Sequence, residues 1–156
     1  MADYKCFEIR PAGEWSDSFE LVVLTYDERF LRRKVVTTAH DKTVLIDLEH
    51  TTSLNHGDAL VLEDGRFIQV IAAEEPLLQI TGDDLVKLAW HVGNRHTPCQ
   101  IERERLLIQA DPVIGHMLEH LGAIVTPVSE PFIPEGGAYG HGRTHSHEHV
   151  HTAHEH

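Results

Sequence analysis

LLQITGDDLVKLAWHVGNRHTPCQIERERLLIQADPVIGHMLEHLGAIVTPV, residues 77–128, is the stretch on which the fold turns. LLQI reads as a short strand. Thr81 can cap a helix in which Leu85, Leu88, Ala89 and Val92 recur at one-face spacing, and Gly93 can end it. CQIE and RLLIQA read as two strands joined by the charged residues 102–105. Asp111 can accept from free helical amides, Pro112 fits a first helical turn, and Val113, Met117 and Leu121 share one side before Gly122. Residues 123–128 supply a last strand. The order is β-α-β-β-α-β, which lets two helices cover one face of a four-stranded sheet in the ferredoxin-like manner.

Upstream the rhythm is that of strands alone: FELVVLT from Phe19, KVVTT from Lys34 and TVLIDL from Thr43. In ALVLEDGRFIQVIA, residues 59–72, two partly alternating apolar runs flank Asp64-Gly65, a strong hairpin signal. The reading is an α+β chain of two small domains. Residues 1–75 form an N-terminal all-β domain and 76–135 a C-terminal ferredoxin-like domain, with 136–156 a disordered Gly- and His-rich tail. A single extended sheet continuing past Pro76 is the alternative, because only that proline beside Glu74 and Glu75 marks the boundary.

Thirteen Lys and Arg against 25 Asp and Glu leave a net charge of −12 over 156 residues, a poor balance for gripping a phosphate backbone. Nucleic acid is therefore excluded as the main partner. Cys6 and Cys99 are too few and too far apart for a disulfide scaffold or a short-spaced metal motif. No run of 18 apolar residues would span a membrane, and MADYKCFEIR is not a secretory signal. The expectation is a soluble, cytoplasmic protein. No G-x-x-x-x-G-K-[ST] occurs, so any nucleotide-driven step belongs to a partner.

Histidine is the anomaly. Of 14 histidines, seven fall in the last 16 residues: His141, His145, His147, His149, His151, His154 and His156. Neutral imidazole is a ligand for nickel, copper and zinc, and the alternation from His145 to His151 offers many chelate pairs without fixing one geometry. Such a segment suits collecting and passing on metal. A purification tag would be an uninterrupted run, whereas Ser146, Glu148, Val150, Thr152 and Ala153 break this one.

A second signal is Trp90-His91-Val92-Gly93-Asn94-Arg95-His96-Thr97-Pro98. Gly93 releases the helix and Asn94 tolerates unusual backbone angles, which displays His96 on a short turn. One imidazole is a weak site, but two-fold pairing would bring two copies of His96 together. The plainer alternative is a surface or capping histidine. His91 lies nearer the apolar stripe and is read as a packing or hydrogen-bonding residue.

His116-Met117-Leu118-Glu119-His120 matches the H-x-x-E-H pattern of inverted zinc peptidases. No later helix can supply the further ligand and little chain remains for a substrate cleft. The pair is read as boundary histidines or an auxiliary metal pair. Cys99 has no base that could make it a nucleophile.

Gly93-Asn94-Arg95-His96 with Pro98, Asp111, Met117-Leu118, Leu121-Gly122, Pro131-Phe132 and Pro134-Glu135-Gly136-Gly137-Ala138-Tyr139, ahead of a His-rich end, resembles the urease accessory metallochaperones of the UreE family. Leu54, Gly57-Asp58 and Glu63-Asp64-Gly65 resemble its first domain more weakly. The resemblance implies a homodimer of a peptide-binding-like β domain and a ferredoxin-like metal-binding domain. The family's motif histidine corresponds to His96, whose two copies are expected to hold Ni²⁺ at the interface, with Zn²⁺ or Cu²⁺ able to compete. His141 and His145 are the nearest tail candidates to complete or feed that site. The implied client is apo-urease, with a GTPase and other accessory proteins as partners, and the chain is expected not to be an enzyme. Where some members carry a histidine after the aspartate matching Asp111, this chain has Pro112, which argues against that auxiliary site. A His-rich metal store or buffer is the competing function.

Overall fold

The structure, a computed structural model, describes residues 1–136. It divides into two compact units, Met1–Glu75 and a second that begins at Pro76. The His-rich end, with all seven of its candidate ligands, lies outside the described residues.

The first unit is built from strands, as expected. These are β1 (Tyr4–Arg10), β2 (Ser18–Leu24), β3 (Phe30–Thr37), β4 (Thr43–Ser53), β5 (Ala59–Leu62) and β6 (Phe67–Ala72), with one 3₁₀ turn at Asp27–Arg29. They form a single sheet in the order β2-β6-β5-β1-β4-β3. The Asp64-Gly65 hairpin is present: Gly65 has φ +89°, its N–H donates to the Leu62 carbonyl at 2.9 Å, and Leu62 N–H donates to that of Arg66 at 2.9 Å. Strand β1 is a strand that pattern reading passes over. Only Cys6 of its seven residues is fully buried, so no alternation announces it, yet it sits inside the sheet, antiparallel to β5 and parallel to β4. Burial alternates cleanly through Leu48 in β4 and along β6, where Val44, Ile46, Ile68 and Val70 are at 0% exposure. Register shifts at Cys6/Glu8, Ser18/Glu20 and Leu31/Arg33 bend the strands.

The second unit runs β7 (Glu74–Thr81), α1 (Leu85–Asn94), β8 (Gln100–Ile101), β9 (Leu106–Gln109), α2 (Pro112–His120) and β10 (Ile124–Pro131). Its sheet order is β10-β7-β9-β8, the ferredoxin-like arrangement. Strand β9 is antiparallel to both β7 and β8, so β7 and β8 run parallel across it and α1 is their crossover. Pro76 lies within β7 rather than at a break, and the two units have separate sheets, which overturns the single-sheet alternative. Ile80, Leu106 and Ile108 from the sheet pack with Leu88 and Val92 of α1 and Ile114 and Leu118 of α2. Burying each such side chain contributes about 1.5–3 kcal/mol.

Two details of the helices depart from the sequence reading. In α2 the buried residues are Ile114, Gly115 and Leu118, while Val113 is 65% exposed and Met117 and Leu121 only flank the core. The reason is Gly115: a Cβ there would stand 3.1 Å from Leu78 Cδ1, so the glycine lets the helix seat closely and turns Val113 outward. The cap of α1 is Asp84, whose carboxylate accepts from Lys87 N–H at 3.1 Å; Thr81 is the last residue of β7.

Candidate metal centre

Helix α1 buries Leu88 and Val92 and leaves Val86 and Trp90, four residues apart, 82% and 63% exposed. The half-buried His91 ring stands edge-on to Trp90 at 5.0 Å, a packing role as expected. At the far end, His96 N–H donates to the Gly93 carbonyl at 2.9 Å and Thr97 N–H to that of Val92 at 3.3 Å. These two bonds define a Schellman ending, whose C′ residue must be left-handed. That residue is His96, with φ +58°. The expectation that Gly93 ends the helix and Asn94 takes the unusual angles is thus corrected: Gly93 lies within α1 and Asn94 is its last residue. The physical cause is Pro98, which forces Thr97 to be extended and leaves the reversal to the residue before it.

Helix α2 ends in the same way. Gly122 N–H donates to the Glu119 carbonyl and Ala123 N–H to that of Leu118, both at 3.0 Å, and the left-handed residue is Gly122 with φ +94°. One unit therefore closes two helices with one motif and places glycine in one and histidine in the other. A left-handed residue with a Cβ is disfavoured by about 1–2 kcal/mol, although histidine tolerates the region better than most. His96 is solvent-exposed, so no packing repays that strain.

After β10 the chain turns toward this corner. Ile133 N–H donates to Gln100 Oε1 at 2.8 Å and Glu135 N–H donates to the Cys99 carbonyl at 2.9 Å. The Gln100 amide in turn donates to Glu102 Oε2 at 2.7 Å. Arg105 binds Glu102 at 2.9 and 3.1 Å, Glu130 at 2.8 Å through two nitrogens, and Gln79 at 3.0 Å. Hydrogen bonds from Arg105 hold the Glu102 and Glu130 carboxyls below the usual carboxylate range. This network fixes residues 130–135 against Cys99 and Gln100, three and four residues beyond His96. Burial, with the nearby Glu135 charge, pushes the Cys99 thiol up to about 11, so it is neither an activated nucleophile nor a ready thiolate ligand.

The structure shows His96 exposed on its turn, while His141, His145, His147, His149, His151, His154 and His156 lie outside the described residues. Among the described residues, no three His, Cys, Asp or Glu side chains converge to hold a metal ion. His116 and His120 are both exposed on α2. Pattern reading passed over the Val86/Trp90 pair, whose spacing of four opposite the buried stripe was the available signal. It also passed over the Arg105 network, whose bonds to Gln79 and Glu130 join residues distant in sequence and leave no local trace. No helix among the described residues is long and apolar enough to cross a membrane.

Residues 75–156 match the profile of the UreE urease accessory protein C-terminal domain, and residues 8–73 match that of its N-terminal domain. The chain belongs to the UreE family. It is 63% identical to the urease accessory protein UreE of Ruegeria pomeroyi over 92% of this chain and 97% of that one. The UreE of Rhodobacter capsulatus is 52% identical over 94% of this chain and 93% of its own. That of Cereibacter sphaeroides is 54% identical over 88% and 75%. UreE proteins bind Ni²⁺ and deliver it to apo-urease during assembly of its metallocentre, working with other accessory proteins and catalysing no reaction themselves. Family membership sets aside the peptidase reading of the H-x-x-E-H segment.

Proposed function

We propose that this chain carries Ni²⁺ to apo-urease with His96 as the ligand from which the ion is handed on, and with the histidines beyond residue 136, His141 and His145 first, as those that feed it. The observation that carries the reading is the exposed histidine at a left-handed position that favours glycine, at the corner where the described chain ends. His141 is five residues past Gly136 and reaches at most ~18 Å from it along the chain. A single imidazole holds nickel weakly, so the working form is a homodimer in which two copies of His96 share one ion. Val86 and Trp90, exposed on the helix that leads to His96, suit burial against a second copy. Residues 76–135 are then the metal-binding domain, 136–156 the feeding segment, and 1–75 the β domain free to meet partners, the GTPase among them.

The chemistry follows from the donor set. Neutral imidazoles bind borderline ions without the commitment of a thiolate cage, and Zn²⁺ or Cu²⁺ can occupy the same nitrogens. With the Cys99 thiol kept protonated, no nearby sulfur traps the ion. A site split between two subunits can release one ligand at a time to a recipient, which is what delivery requires.

Nickel titration read by native mass spectrometry, on the full chain, a chain ending at Gly140 and His96→Ala, tests this. One tight nickel per dimer that survives truncation and disappears in His96→Ala is expected, with loss of urease activation in the last. Nickel binding that vanishes with the His-rich end and ignores His96 would make the protein a metal store.

A further inference from the structure

Helix α2 carries two histidines that delivery through His96 leaves unused. His116 and His120 stand four residues apart, one turn along the same face. At 100° per residue each is about 200° from a core residue, His116 from Ile114 and His120 from Leu118, so the pair occupies the side away from the core. The side chain of His116 is 77% exposed. Its Nδ1 stands 3.7 Å from Glu119 Oε1, too far for a hydrogen bond, and among the described residues no hydrogen bond or ion pair engages the His120 ring. Neither ring is spent on packing or capping.

We propose that His116 and His120 form a two-imidazole chelate for a divalent first-row transition ion, separate from His96. Three observations support it. Histidines at i and i+4 on a helix are the spacing with which zinc-binding helices hold their ion. His120 lies in the last turn of α2, where the helix dipole favours a cation. Glu119 Oε1 stands 3.7 Å from His116 Nδ1, and a side-chain rotation would let the carboxylate accept from that nitrogen and leave Nε2 to the metal, the usual outer-shell partner of a ligating histidine. No third protein donor converges there among the described residues, so water fills the remaining positions. The ion is consequently held loosely and exchanges fast, as suits a place where metal is first picked up. The same lack of a third ligand separates this pair from a peptidase centre, which needs three protein ligands to fix its metal.

Paramagnetic Ni²⁺ gives a local readout in the full chain, because amides near the bound ion lose intensity in ¹⁵N–¹H spectra whatever the other histidines do. Ni²⁺ added in excess of what fills the tight His96 site is expected to broaden the amides of residues 116–121 in the wild type, and to do the same in His96→Ala. In His116→Gln/His120→Gln those amides should keep their intensity, and native mass spectra at saturating nickel should show one ion fewer per chain. Both positions are exposed, so the double variant keeps its fold, and unchanged chemical shifts in the sheet check this. Unbroadened α2 amides in the wild type, or broadening that persists in the double variant, would overturn the proposal. Loss of α2 broadening in His96→Ala would also overturn it, by making the effect a property of the His96 site.

Discussion

Replacing His96 by glycine should stabilise the second unit while removing the metal ligand proposed above. The side chain is exposed, so its removal loses no packing. What changes is the backbone. Relief of a left-handed residue with a Cβ is worth about 1–2 kcal/mol, and the extra freedom of glycine in the unfolded chain takes back about 0.4–1 kcal/mol. The net gain is about 0.5–1 kcal/mol. For a unit of this size that raises the melting temperature by about 2–8 °C. His96→Ala keeps the Cβ, so it should show no gain in stability, while on the proposed role of His96 it should lose nickel equally. Because the chain has two units, the assay must read the second alone: slow amide exchange of Leu88 and Val92, core residues of α1, does so. Protection in His96→Gly equal to or below that in His96→Ala would refute the reasoning, for it would mean that φ +58° is not the conformation the turn imposes.

Two further outcomes follow from the same unit. Glu102 and Glu130 are held below the ordinary carboxylate range by Arg105, so their contribution is present above the unfolded value of about 4.3 and fades as pH falls through the lower folded values. Urea midpoints of the second unit should be flat above about pH 5 and fall below about pH 4, and Arg105→Gln should flatten that fall; the effect is small because both carboxylates are more than a third exposed. Asp84→Ala should cost about 1 kcal/mol of helix stability through the lost cap, whereas Thr81→Ala should leave α1 amide protection unchanged.

What the sequence made legible was local. The Asp64-Gly65 hairpin, the β-α-β-β-α-β order and the cap at Asp111, which accepts from Val113 and Ile114 N–H at 2.9 and 3.2 Å, each follow from residues close together in the chain. The parallel pairings of β1 with β4 and β2 with β6 join distant segments and have no local signature. The face of α2 was misjudged because apolar spacing alone cannot see that a glycine, not a valine, sets the closest approach to the sheet. At the candidate site, the GNRH motif pointed to His96, but the turn was placed on Gly93 and Asn94. The constraint came from Pro98 on the other side.

Because Glu135 is tied to Cys99, the His-rich end is rooted beside the turn that carries His96. His141, five residues past Gly136, can lie no farther than ~18 Å from it, which corresponds to an effective concentration on the order of tens of millimolar. On the proposed roles of His96 and His141, an ion leaving His96 would be recaptured by its own chain unless a recipient sat at least as close, which would make delivery a matter of docking before release.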